Sequence, residues 1–366
     1  MAKPFVNPFV SGQFLELRVD ALVSDGRGLG RHDGVVVLVE DALPGQLVRA
    51  RVAAVRKSLA EAALVEVLER SPDEQEPPCP HAGRCGGCSW QSLAYGRQLA
   101  WKERIVHDAL ERVGKVACPP MLPILPSPSE WGYRNKMEFA FGVSGDGGKA
   151  LGLRERGSRN IVGVTGCLLQ RPLTMRVLEA VRMLSNGAFH DLDGRFLVVR
   201  EPNAGGCFVE LIVGAGGSLE AGERFAEALR AETPEVTGFA LSERLAPSDV
   251  AYGERALYAD GRLEERIGDV RLQMGHNAFF QVNTPAAELL YAPPGLPRLR
   301  NCRILSCGTC TAAWVPSGCT WGAMRGLWAL RKCPARCVMP AAMRRRWAGR
   351  RTRWSRATPS PCSGVW

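Results

Sequence analysis

Residues 79–88 read Cys79-Pro80-His81-Ala82-Gly83-Arg84-Cys85-Gly86-Gly87-Cys88. Three thiols fall within ten residues at the spacing Cys79-x5-Cys85-x2-Cys88, and two glycines separate the last pair. Paired glycines let a backbone turn tightly around a bound centre. In a reducing compartment such density reads as metal ligation before disulfide formation. Three thiolates near a turn suit zinc or an iron–sulfur cluster, and spacing alone does not separate the two. Both need a fourth ligand, for which Cys118, Cys167 and Cys207 are the candidates in the body of the chain. Cys167 ends Val164-Thr165-Gly166-Cys167, after an expected hairpin, where its side chain can face a neighbouring loop. Cys207 opens an apolar strand and reads as core. The bland alternative is three structural free thiols.

The cysteine segment divides two differently patterned regions. Upstream, residues 12–70 read as a small β domain. Phe14 to Val19 alternates at period two, Val35 to Val39 is a short apolar run, and Leu47 to Val55 and Ala62 to Leu68 give two further strands. Ser24 to Arg31 reads as a glycine-rich turn carrying two arginines. Short strands closing on themselves predict an OB-like barrel, which serves either as a nucleic-acid platform or as a generic barrel with a flexible turn. Ser71 to Pro78, acidic and proline-rich, reads as a linker. Downstream, Trp90 to Val113 reads as a helix with Leu99, Ile105, Val106, Ala109, Leu110 and Val113 on one face and Gly114 as its stop. A proline-rich connector runs from Pro119 to Pro128. Trp131 to Gly275 reads as mixed α+β, with strands at Lys136–Val143, Phe196–Arg200 and Phe208–Val213 and helices at Thr174–Leu184 and Glu223–Ala231. A last helix is expected from Thr284, with Pro285 in its first turn, where the missing N–H costs nothing.

The chain has 366 residues, 46% of them apolar, enough for two or three domains. It shows no run of eighteen apolar residues and no signal-peptide core at its start, so the cytoplasm is the expected compartment. The net charge of +10 suggests a nucleic-acid binder, but its distribution does not. Residues 301–366 carry twelve Lys or Arg and no Asp or Glu, leaving 35 basic and 37 acidic residues in the first 300. Total charge therefore says nothing about RNA binding by the body.

Taken together, these segments resemble the TRAM-domain, [4Fe–4S]-containing RNA (uracil-C5)-methyltransferases of the bacterial 23S rRNA type. The resemblance rests on the barrel, on Cys79 to Cys88, on Tyr133-Arg134-Asn135-Lys136-Met137-Glu138-Phe139, and on Phe279-Phe280-Gln281-Val282-Asn283. It covers about residues 10–305. It implies a multi-domain fold: an OB-like TRAM barrel at 10–70, and a central α+β iron–sulfur and RNA-binding domain at 71–92 and 118–270. A Rossmann-like α/β methyltransferase domain comes last, present only at its start (93–117 and 271–310). The resemblance further implies Cys79, Cys85, Cys88 and Cys167 as cluster ligands and Gln281 as a contact to S-adenosylmethionine. Without it, Gln281 reads as a buried amide satisfying backbone at a strand end. The implied partner is RNA, 23S rRNA in particular, with neither DNA nor membrane, the protein acting as a monomer. The implied chemistry is covalent. A cysteine thiolate adds to uracil C6, C5 takes the methyl group, and a carboxylate removes the C5 proton before the cysteine leaves. The base must leave any stack to react, so looped or single-stranded RNA is expected.

The last part departs from the family. A loop like Asp-Leu-Tyr-Cys-Gly-Thr-Gly-Thr should open the cofactor domain; the chain reads Ile304-Leu305-Ser306-Cys307-Gly308-Thr309-Cys310-Thr311. No Asp-Pro-Pro-Arg segment comes after it, so the nucleophile and the base cannot be assigned. Residues 301–366 hold seven of the thirteen cysteines and six of the nine tryptophans. The arginine–tryptophan runs at 344–347 and 350–354 can be read as an RNA-binding arm, and Cys307-x2-Cys310 as half a zinc site. The composition fits better with out-of-frame translation of a GC-rich gene. One synonymous coding of residues 323–332, read two bases later, gives Asp-Ala-Trp-Ala-Val-Gly-Val-Glu-Glu, a strand ending on carboxylates of the kind that hold a ribose. Residues 311–366 are then an aberrant, disordered basic tail, and the chain is catalytically incomplete. The competing function is a non-catalytic RNA-binding iron–sulfur protein. Sequencing the gene tests the frame reading: an alternate frame open beyond codon 305 is expected, and one filled with stop codons would remove it.

Overall fold

The computed structural model describes residues 7–214, 217–247 and 249–291. The expected opening of the cofactor domain at 304–311 and the tail at 311–366 lie outside the described residues.

The first five strands close a barrel: β1 (Phe14–Leu22), β2 (Gly28–His32), β3 (Val35–Glu40), β4 (Leu47–Val55) and β5 (Leu59–Glu69), in the order β1-β2-β3-β5-β4. The β3–β5 pair is parallel and the other pairs are antiparallel. Alternation places Leu15, Leu17 and Val19 of β1 inward against Val37, Val39, Val48 and Val52, and Phe9 completes that core from before the first strand. The expected turn at Ser24–Arg31 is shorter than its glycines suggested, because residues 28–32 form β2. Gly28 and Gly30 are there for clearance: a Cβ on Gly30 would lie 2.3 Å from the Arg18 carbonyl oxygen, and one on Gly28 2.7 Å from that of Ala42.

The expected linker is fastened to the barrel. Ser71 is buried and its Oγ donates to the Pro44 carbonyl at 2.6 Å, while the Glu74 carboxylate accepts from Gln46 Nε2 at 2.8 Å. Trp90 Nε1 donates to the Gly26 carbonyl at 2.9 Å. The expected long helix begins later, as α1 (Tyr95–Asp108), and ends in a π-helical turn, Ala109–Val113. Its apolar face also differs from expectation. Trp101 is buried with Leu22, Leu43 and Leu93, and Ile105 packs beside it, whereas Val106 is 50% and Val113 82% exposed. The large indole sets which side of the helix meets the barrel, and the wider π turn shifts the phase of the residues within it.

A seven-stranded sheet forms the centre of the chain. Its strands are β6 (Lys136–Val143), β7 (Lys149–Arg154), β8 (Ile161–Val162), β9 (Gly194–Arg200), β10 (Cys207–Val213), β11 (Val236–Glu243) and β12 (Arg255–Asp260), in the order β12-β11-β10-β9-β6-β7-β8. Helices α2 (Pro172–Asn186) and α3 (Leu219–Glu232) cover one face, where Val177, Leu178, Phe225 and Leu229 meet Phe139, Leu197, Leu211 and Phe239. A two-stranded ribbon, β13 (Leu263–Ile267) and β14 (Val270–Met274), sets Leu263 and Met274 against Phe208 and Ala240 on the opposite face. The last described helix, α4 (Thr284–Tyr291), starts where expected, with Asn283 Oδ1 capping the Ala286 N–H at 3.0 Å.

The segment entering β6 joins distant parts of the chain. The Gly132 and Arg134 N–H groups donate to the Leu168 and Leu169 carbonyls at 2.8 and 3.0 Å. The Asn135 N–H donates to the Val282 carbonyl at 2.8 Å. The buried Asn135 amide nitrogen donates to the Gln281 carbonyl at 3.0 Å and to Thr284 Oγ1 at 2.8 Å, and Thr284 Oγ1 lies 3.1 Å from the fully buried Glu265 carboxylate. Losing one member of such a network leaves buried polar partners unpaired. Asn135→Ala is expected to destabilise the fold by about 1–3 kcal/mol, measured as a lower urea midpoint.

Candidate functional site

Four of the six cysteines in the described residues ring one cavity of about 200 Å³: Cys79, Cys85, Cys88 and Cys167. Cys118, just before the proline-rich connector, is not on its wall, and Cys207 is fully buried in the sheet core, where burial pushes its thiol far up. All six are free thiols.

Two elements carry these side chains. The Cys79–Cys88 loop lies along the end of β7. The Gly86 N–H donates to the Arg154 carbonyl at 3.0 Å, the Arg156 N–H donates to the Arg84 carbonyl at 2.8 Å, and Cys85 forms a single antiparallel bridge with Glu155. Cys167 comes from the turn after β8. The Arg182 guanidinium of α2 holds that turn by donating to the Leu151 and Val164 carbonyls at 2.7 and 3.0 Å. His81 links the two elements, its Nε2 accepting the Thr165 N–H at 3.1 Å.

The thiols share one electrostatic environment. Burial raises the Cys85 thiol, and neighbouring Cys88 and Cys79 raise it further, against lowering by the Gly87 N–H and the Arg156 charge. Burial likewise raises Cys167, with Cys88 and Cys79 again contributing and the Leu169 and Gln170 N–H groups opposing. Metal binding needs thiolates, so this pocket favours a centre whose positive charge replaces the lost protons. Among the described residues no three Cys, His, Asp or Glu groups are already set to hold a metal ion. The donor set itself, four thiols on the wall of one cavity, fits a [4Fe–4S] cluster and a zinc ion alike. Two residues of that wall, Arg134 and Arg156, each have a buried guanidinium Nε–H without a partner.

Gln281 lies on the loop between β14 and α4. Its side chain is exposed, which excludes the buried-amide alternative, and its carbonyl oxygen is the acceptor for Asn135. Sequence reasoning did not single out Arg134 or Arg156 as site residues; both are arginines in ordinary contexts, and only the fold brings them to the thiols.

Residues 8–65 match the TRAM domain family. An uncharacterized RNA methyltransferase of Nitratidesulfovibrio vulgaris is 45% identical over 295 residues, 77% of this chain and 63% of that protein. One from Thermosynechococcus vestitus is 33% identical over 317 residues, 82% of this chain and 69% of that protein. The crystal structure of the Pyrococcus abyssi tRNA (uracil-54, C5)-methyltransferase with S-adenosyl-L-homocysteine shares the fold. Its TM-score is 0.56 at 23% identity, over 75% of this chain and 63% of that one. The chain thus spans about two thirds of the length of the relatives it matches. No helix among the described residues is long and apolar enough to cross a membrane. With residues 8–65 matched as a TRAM domain and an RNA methyltransferase 33% identical over 82% of this chain and 69% of its own length, the chain belongs to the TRAM-containing RNA methyltransferases.

Proposed function

We propose that this chain derives from an enzyme that methylates uracil C5 in RNA, in 23S rRNA, using S-adenosylmethionine. The observation that carries the reading is the seam at Asn135. It holds the Tyr133–Phe139 segment against Phe279–Asn283, the two stretches by which the chain resembles uracil-C5 methyltransferases. In this reading the barrel at 10–70 and the central region at 71–92 and 118–270 bind RNA. Residues 93–117 and 271–310 belong with the cofactor domain. The exposed Gln281 is the contact to S-adenosylmethionine, which supplies the methyl group when bound. The protein works as a monomer in the cytoplasm.

Cys79, Cys85, Cys88 and Cys167 hold a [4Fe–4S] cluster whose role is to fix the loop at residues 79–88, since metal binding can supply much of the folding free energy of an irregular segment. Iron and sulfide assays on anaerobically purified protein test this. Wild type is expected to carry both in about equal amounts, each of the four Cys→Ser variants to lose most of them, and Cys118→Ser to keep the wild-type content. Zinc without sulfide would replace the cluster reading.

Among the described residues no nucleophile and base are assigned: four of the six cysteines line the cavity, Cys207 is sealed in the core, and Cys118 lies just before the proline-rich connector. Tritium transfer from labelled S-adenosylmethionine to uracil-containing rRNA is expected to be absent while RNA binding persists and weakens with salt. Clear turnover would show the catalytic part to be intact. Loss of RNA binding together with turnover would leave neither the enzyme nor the RNA-binding alternative standing.

A further inference from the structure

Arg156 makes connections in three directions. Its main-chain N–H holds the Arg84 carbonyl at 2.8 Å, and its Nη2 donates to the Cys88 carbonyl. Cys85-Gly86-Gly87-Cys88 lies between those two points. Its Nη1 pairs with the Asp41 carboxylate, just after the end of β3. The backbone of Asp41 is left-handed, with φ of 60°, a conformation that Asp tolerates better than most side chains. The remaining guanidinium nitrogen, Nε, is buried and has no partner. The loop can approach this closely because residue 86 is glycine; a Cβ there would come within 3.3 Å of the Arg154 carbonyl oxygen and 3.6 Å of Arg156 Cα.

We propose that Arg156 is a positioning residue for the cluster: its main chain and its guanidinium hold the two ends of the Cys85–Cys88 loop, and the guanidinium ties that loop to the barrel through Asp41. The proposal rests on the reading that the four cysteines hold a [4Fe–4S] cluster. A planar guanidinium can hold two partners in fixed directions at once, here the Cys88 carbonyl and the Asp41 carboxylate, which the compact ammonium of lysine does less well. Partners that orient metal ligands from behind are worth about 10- to 100-fold in metal affinity. Arg154, two residues earlier, supplies an internal control. Its guanidinium pairs with Asp249 and the Arg159 carbonyl and is not on the cavity wall.

The test compares full-length wild type, Arg156→Gln, Arg156→Lys and Arg154→Gln, purified anaerobically, by iron retention against a chelator and by electron paramagnetic resonance of the reduced protein. The chelator concentration that removes half the iron is expected to fall about 10- to 100-fold in Arg156→Gln, with an altered resonance signal. Arg156→Lys, which keeps the charge, is expected to fall in the same direction, and Arg154→Gln to match wild type. Wild-type retention and signal in both Arg156 variants would overturn the proposal while leaving the cluster reading intact. If Arg156→Gln does not fold, Arg156→Lys decides alone. Wild type without iron and sulfide would overturn the cluster reading, and this proposal with it.

Discussion

One buried side-chain amide holds the central region in register. Asn135 stands between two pieces of chain that approach this segment from opposite sides, Leu168–Leu169 and Gln281–Val282. Its neighbour Arg134 bonds the first piece through its main chain and belongs to the wall of the cysteine cavity. Cys167 immediately precedes that piece, and Gln281 belongs to the second. A displacement of this short segment would therefore move a thiol and the exposed glutamine together. The constraint is strong because the groups involved are out of water: Glu265, Thr284 and Asn135 each depend on the others for partners.

The charge pattern of the barrel is one of internal pairing. Barrel arginines are largely engaged with acids of the same barrel: Arg18 with Glu69, Arg49 with Glu16 and Glu66, Arg27 with Asp25. Such exposed pairs add little stability, but they cancel the long-range field that a free basic surface would project. Arg156 on the cavity wall likewise pairs with an acid, Asp41.

Much of this was legible in the sequence where period and burial agreed. Lys136–Val143 and Leu47–Val55 coincide with β6 and β4 because alternating or continuous apolar runs leave few other solutions. β2 was hidden because its inward positions are glycines, chosen for backbone clearance instead of hydrophobicity. β13 and β14 were hidden because the covered face of this two-stranded ribbon carries three buried apolar residues, Leu263, Ile267 and Leu272, beside the buried Glu265, and its remaining positions are largely charged or polar. In β11, Gly238 interrupts the pattern where a Cβ would strike the Phe208 ring at 2.5 Å. The meeting of Cys167 with the cysteine loop was readable from its turn context, whereas the part played by Arg156 was not. An arginine acquires such a role only through the groups that folding brings to it.

The pairing of the cysteine loop with residues 154–156 also imposes an order of events on synthesis. Gly86 leaves the ribosome about 70 residues before Arg154 and Arg156, the strand end against which it docks, and Cys167 emerges later still. At roughly 5–20 residues per second, that interval is about 4–14 s. During it three closely spaced thiols have no sheet edge to lie on. The loop therefore gains its place only after the sheet edge at residues 154–156 has been made.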